Sequence, residues 1–83
     1  MNLTLVSIMT SRPLTVLKGC GVITRIEGEI GEFKRLISLG LVPGREVKVY
    51  VNGSVIVVEV DNSVLVLDRQ LASKIMVGDW HED

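Results

Sequence analysis

The sequence is short of several things at once, and each shortage excludes a class of protein. It has one cysteine, Cys20, so no disulfide can form within the chain. A secreted scaffold stapled by several bridges is therefore excluded. Aromatic residues make up only 4% of the chain. Phe33, Tyr50 and Trp80 are too few for the stacking platform that single-stranded nucleic acid requires, or for an aromatic groove that takes proline-rich peptides. Charge of one sign is also lacking: the formal net charge is −1 and the pI about 5.7. A dedicated nucleic-acid binder carries a basic stripe and a high pI. A charge or a glycine interrupts every apolar run, so none approaches the roughly 20 residues that span a bilayer as a helix. The opening Met1–Met9 lacks the basic flank of a signal peptide. A cytoplasmic location is expected.

What is present is a short chain rich in aliphatic residues. Its 83 residues make one domain with one core. A domain of this size buries only about 60% of the surface its unfolded chain exposes, leaving little chain for a deep active-site cleft. Hydrophobic residues are 47%, mostly Val, Leu and Ile, and mean hydropathy is +0.42. Such residues suit pleated, half-buried surfaces. The high hydropathy implies a densely used core or an apolar patch left for a partner.

Residues 1–12 read as an N-terminal extension that suits an edge strand or a separate arm. Leu14 to Gly19 reads as a turn or a single helical turn. Gly21 to Glu27 reads as a first strand, with Val22, Thr24 and Ile26 on one face and Ile23, Arg25 and Glu27 on the other. Glu29 to Leu39 is an amphipathic helix: Ile30, Phe33 and Ile37 recur at helical spacing, Leu36 widens the stripe, and Phe33 is expected in the core. Glu32 and Arg35 are spaced to pair. Gly40 can take the left-handed conformation that ends a helix, which places Leu41 against Leu36 in a Schellman cap. Val42-Pro43-Gly44-Arg45 fits a type II turn.

A hairpin follows. Asn52-Gly53 is expected to form its two-residue turn, setting Val49 opposite Ile56 and Val47 opposite Val58. The second face, with Tyr50, Val55 and Val57, is half apolar. Asp61-Asn62-Ser63 makes another turn. Val64 to Leu67 does not alternate, so both its faces are expected to be covered. Asp68 caps a short helical turn, Arg69 to Lys74, and Ile75 to Val77 closes the sheet. Residues 13–78 form the domain and 79–83 an acidic tail. About five short strands with one amphipathic helix and a short C-terminal helical turn imply a small, mainly β barrel, which disposes of exposed sheet edges.

Candidate chemistry is sparse. Cys20 and His81 are the sole residues of their kinds and read as a small buried thiol and a solvated imidazole, not a catalytic pair. Asp79, His81, Glu82 and Asp83 could offer ligands to a divalent transition metal, but consecutive residues near a terminus are not preorganised. Gly40 to Gly44 is no phosphate loop, since the Gly-Lys-Ser/Thr ending is missing. Arg25, Lys34, Arg35, Arg45 and Lys48 are interleaved with Glu27, Glu32 and Glu46, which makes a mixed solvated face.

The run Arg35-Leu36-Ile37-Ser38-Leu39-Gly40-Leu41-Val42-Pro43-Gly44, followed by Val47 and Val49, resembles the signature of FeoA proteins, small accessory proteins of ferrous-iron uptake. Leu14, Leu17, Gly21, Ile23, Ile26 and Gly28 resemble that family's opening pattern, and Leu67, Ala72, Ile75 and Val77 its close. The resemblance implies an SH3-like barrel with no enzymatic activity, docking on the cytosolic part of a FeoB-type GTPase transporter. The same module resembles the C-terminal domain of metal-dependent repressors, so a metal-binding or metal-sensing domain is the alternative. The sequence departs from the family in its N-terminal extension, in the short Asn52-Gly53 turn and in lacking Pro-Gly after Lys18. The expected contact surface comprises Leu39, Leu41, Val42 and Pro43 and extends to Tyr50. No cofactor is expected; a homo-oligomer is compatible with the composition.

Overall fold

A computed structural model describes residues 11–81. The N-terminal extension up to Thr10, and Glu82 and Asp83 of the expected tail, lie outside the described residues. Among the described residues six strands form one antiparallel sheet: β1 (Arg12–Pro13), β2 (Gly19–Ile26), β3 (Glu46–Asn52), β4 (Val55–Val60), β5 (Ser63–Asp68) and β6 (Ile75–His81). Their order across the sheet is β1-β6-β2-β3-β4-β5. A 3-10 turn at Leu14–Val16 follows β1, helix α1 (Ile30–Ser38) joins β2 to β3, and α2 (Arg69–Ala72) joins β5 to β6. This is the mainly β, SH3-like fold that was expected, with six strands in place of about five. The sixth is the two-residue β1. β6 runs on through Gly78 to His81, three residues into the expected tail.

The core is entirely apolar among the described residues. Leu14, Leu36, Leu41, Ile56, Val58 and Ile75 are fully buried within it. β2 and β6 share two irregularities. Thr24 is an extra residue on β2, between the Ile23–Val77 and Arg25–Met76 pairs. It interrupts the expected alternation, so that Ile23 is buried while Ile26 also packs on the core. The second lies on β6, where Asp79 has φ 49°. Gly19-Cys20-Gly21 lies inside β2 instead of leading up to it.

Helix α1 starts at a capping box. The Glu29 side chain accepts from the N3 backbone, and the Glu29 N–H donates to Glu32 Oε1 at 3.1 Å. That contact occupies the carboxylate expected to pair with Arg35. The helix rests on the core through Leu36, and the rest of its apolar stripe is off centre. At 100° per residue Ile30 lies about 120° round from Leu36, and it is 69% exposed. Phe33, expected in the core, is also classed as exposed.

The hairpin register departs from expectation. Val49 faces Val58, two residues from the expected partner, and Asn52 faces Ile56. Asn52 is not a turn residue; its side chain ties β3 to the rest of the domain. Its amide Nδ2 donates to the Thr15 carbonyl at 2.9 Å and the Leu17 carbonyl at 3.3 Å. Its Oδ1 accepts from Arg69 Nη1 at 2.6 Å. With Asn52 held in the strand, Tyr50 becomes an extra residue between the Val49–Val58 and Val51–Val57 pairs. The bulge turns Val51 outward. The tight two-residue turn instead falls at Asp61-Asn62, with φ of 54° and 65° between the paired Val60 and Ser63. β5 is covered on one face only: Leu67 is buried, whereas Val64 and Val66 are 63% and 66% exposed.

Candidate functional site

The segment leaving α1 is built by backbone bonds. Gly40, at φ 95°, follows the helix. The Leu41 N–H donates to the Leu36 carbonyl at 3.0 Å and the Gly40 N–H to the Ile37 carbonyl at 2.9 Å, the paired bonds of a Schellman cap. Leu41 is thereby driven into the core beside Leu36, with no exposed surface. The next turn closes through the Arg45 N–H to the Val42 carbonyl at 3.1 Å, with Gly44 at φ 96°. It is pinned to β2 at both sides: the Gly44 N–H donates to the Ile23 carbonyl at 2.7 Å, and the Ile23 N–H donates to the Arg45 carbonyl at 2.9 Å. Pro43 is thus exposed on a turn that is fastened at its base, with Val42 half-buried and Leu39 partly exposed beside the cap.

The five residues expected to share one contact surface are divided by the structure. Leu39, Val42 and Pro43 belong to the surface of the post-helical segment. Leu41 is interior and supports that segment from beneath. Tyr50 stands five residues beyond Arg45, about 17 Å along an extended strand. Between them lies an open pocket of about 380 Å³, lined by Cys20, Arg45, Glu46, Lys48, Glu59, Asp61 and Asn62. Its charges largely balance. Arg45 pairs with Asp61 at 2.8 Å and reaches the Gly40 carbonyl at 3.5 Å, which ties the post-helical segment to the β4–β5 turn. The Lys48 ammonium lies 5.3 Å from the Tyr50 ring centroid. The Tyr50 hydroxyl donates to Glu59, and that hydrogen bond raises the phenol above its ordinary 10.0.

No single-sign field emerges from the other basic residues either: Arg25 pairs with Glu27 at 2.9 Å. Among the described residues, no three His, Cys, Asp and Glu side chains are grouped so as to hold a metal ion. Of the weak metal candidates, Asp79 is exposed on β6, His81 ends that strand opposite Cys20, and Glu82 is outside the described residues. No described helix is long and apolar enough to cross a membrane. Sequence reasoning singled out the half-apolar face with Tyr50 and Val55 but missed the exposure of Val51, Val64 and Val66, and of Ile30 and Phe33. The bulge at Tyr50 and the narrow part of the α1 stripe that meets the core, Leu36, have no local signature in the chain.

Comparison with known proteins places this geometry. A family model described as the FeoA domain matches residues 17–78. The crystal structure of an iron uptake regulatory protein (FeoA) is similar, with a TM-score of 0.76 and 26% identity over 83% of this chain and 97% of that one. The solution structure of a FeoA protein from Chlorobium tepidum has a TM-score of 0.72 and 31% identity, covering 80% of this chain and 68% of that one. A manganese-dependent transcriptional repressor shares the fold, with a TM-score of 0.77 at 21% identity; 83% of this chain matches 41% of that protein. No curated protein matches the chain.

Proposed function

The chain belongs to the FeoA domain family of ferrous-iron transport accessory proteins, and from that premise we propose that it is a non-enzymatic cytosolic module that docks on the cytosolic part of a FeoB-type GTPase transporter. The observation that carries this reading is the Val42-Pro43 turn. Apolar side chains on a connection are ordinarily mobile and costly to order on binding. Here the turn is fastened to β2 by two backbone bonds and to α1 by the Schellman cap, so little further ordering is required. Leu39 and Pro43 then offer exposed apolar surface on the segment that leads to Arg45, and Arg45 lines a pocket whose balanced charges give orientation more than affinity.

Leu41 contributes by holding the segment in place and not by contact, because it is fully buried. Val42 is the residue on which the test turns. Binding of the full chain to the purified cytosolic part of the cognate transporter is measured by calorimetry or biolayer interferometry. Val42→Glu is expected to weaken it by about tenfold or more, as placing a charge at an apolar contact does. Unchanged affinity for a folded Val42→Glu chain would remove this surface from the proposal. Leu41→Glu is unsuitable as a probe, since a carboxylate buried without a partner unfolds the domain.

A further inference from the structure

The sheet has two unlike edges. β1 is only two residues long. β5 is six residues long, and among the described residues it pairs with β4 alone, in six consecutive pairs without a bulge. Natural edge strands are blunted by bulges, prolines, lysines or shortness. β5 has none of these: Ser63-Val64-Leu65-Val66-Leu67 carries no charge and no proline. Its outward side chains, Val64 and Val66, are 63% and 66% exposed. An acid precedes it at Asp61 and another, Asp68, is its last residue; both are already engaged, Asp61 by Arg45 and Asp68 by the Leu71 N–H.

We propose that β5 is a self-association edge, where a second copy of this chain adds its own β5 in antiparallel register about a two-fold axis. The edge is self-complementary in one register: Leu65 faces Leu65 of the second copy and Val64 faces its Val66. Four valines then form one outward row, and Asp68 falls opposite Asn62 of the second copy. A shift of two residues sets Asp68 against Val64, a carboxylate against an apolar side chain, and a shift of one turns the outward valines against inward leucines. From Ser63 to Leu67 no charge is present to repel the copy, as a lysine edge would. Pairing along one strand about 20 Å long buries only a narrow strip, well below the roughly 1,600 Å² of total surface that a standard stable interface buries. The dimer is consequently weak and forms at high concentration.

Sedimentation equilibrium on the full chain, from about 10 μM to about 1 mM, reads this directly. A dimer fraction that rises with concentration is expected, together with slower hydrogen exchange at those β5 amides that do not bond to β4. Val66→Lys, at a side chain that is 66% exposed, is expected to weaken association at least tenfold while the thermal unfolding midpoint is retained. Val64→Lys repeats the test independently. Val16→Lys, at an exposed site after β1, leaves association intact. A chain that stays monomeric to about 1 mM overturns the proposal, as does a dimer indifferent to both β5 lysines. It also falls if β5 amides gain protection only when the transporter's cytosolic part is added, since that edge then belongs to the transporter.

Discussion

At Gly21 a missing side chain decides how close two strands can lie. A Cβ there would meet Val77 Cγ1 at 2.3 Å and Trp80 Cβ at 3.1 Å. Both belong to β6, so Gly21→Ala must push β2 and β6 apart. A loss of about 1–3 kcal/mol in urea unfolding is expected, the ordinary cost of overpacking. Gly31 is the opposite case. It lies on the exposed face of α1 with nothing within 4 Å of an added Cβ, so Gly31→Ala should gain about 0.5–1 kcal/mol in the same assay. Tyr50 makes a third prediction at this scale. The hydrogen bond it donates to Glu59 is lost when the phenol ionises, which keeps its titration above 10.0. A phenol raised in the folded state adds stability that is complete below the unfolded value and is lost as pH rises through the folded one. Since Tyr50 is the sole tyrosine, absorbance at alkaline pH follows it alone. Glu59→Gln should return its midpoint toward 10.0.

Among the elements, the ones readable from sequence were those whose cause is local. The cap after α1 needs a left-handed glycine and an apolar pair at fixed offsets, and Gly40, Leu36 and Leu41 supply them within six residues. The β3–β4 hairpin was not readable, because its cause is distant. Asn52-Gly53 has the chemistry of a tight turn, yet Asn52 is claimed by Thr15, Leu17 and Arg69, each at least 17 residues away in sequence. Its side chain is a clamp between β3, the turn after β1 and α2. Asn52→Asp tests this against a simple ion-pair account. The aspartate pairs better with Arg69 but cannot donate to the two carbonyls. A loss of about 1–3 kcal/mol is expected for Asn52→Asp and Asn52→Ala alike, the cost of leaving polar partners unmet. An ion-pair account predicts that Asn52→Asp is neutral or stabilising. Thermal or urea unfolding of the two variants separates these outcomes.

Across the whole molecule, the excess apolar content noted in the composition resolves into separate surfaces. One belongs to the post-helical segment, with Leu39, Val42 and Pro43. Another is the outer face of β3 to β5, with Tyr50, Val51, Val55, Val64 and Val66, and the remainder lies on α1 at Ile30 and Phe33 and after β1 at Val16. The charged pocket between Arg45 and Glu59 stands between the first surface and Tyr50. Composition left open a densely used core or an apolar patch for a partner, and parity along each strand could not place the exposed residues once Tyr50 bulged. Physical separation makes the proposed roles of the two surfaces independently testable. Sites that share no partner and lie far apart act additively. Val42→Glu should therefore weaken binding to the transporter's cytosolic part and leave self-association unchanged. Val66→Lys should weaken self-association at least tenfold and leave transporter binding unchanged at low micromolar chain, where the weak dimer is dissociated. The double variant should lose both, with each deficit equal to that of its single parent. If Val66→Lys weakens transporter binding as much as Val42→Glu does, the two surfaces serve one interface, and the transporter engages the sheet edge and the post-helical turn together.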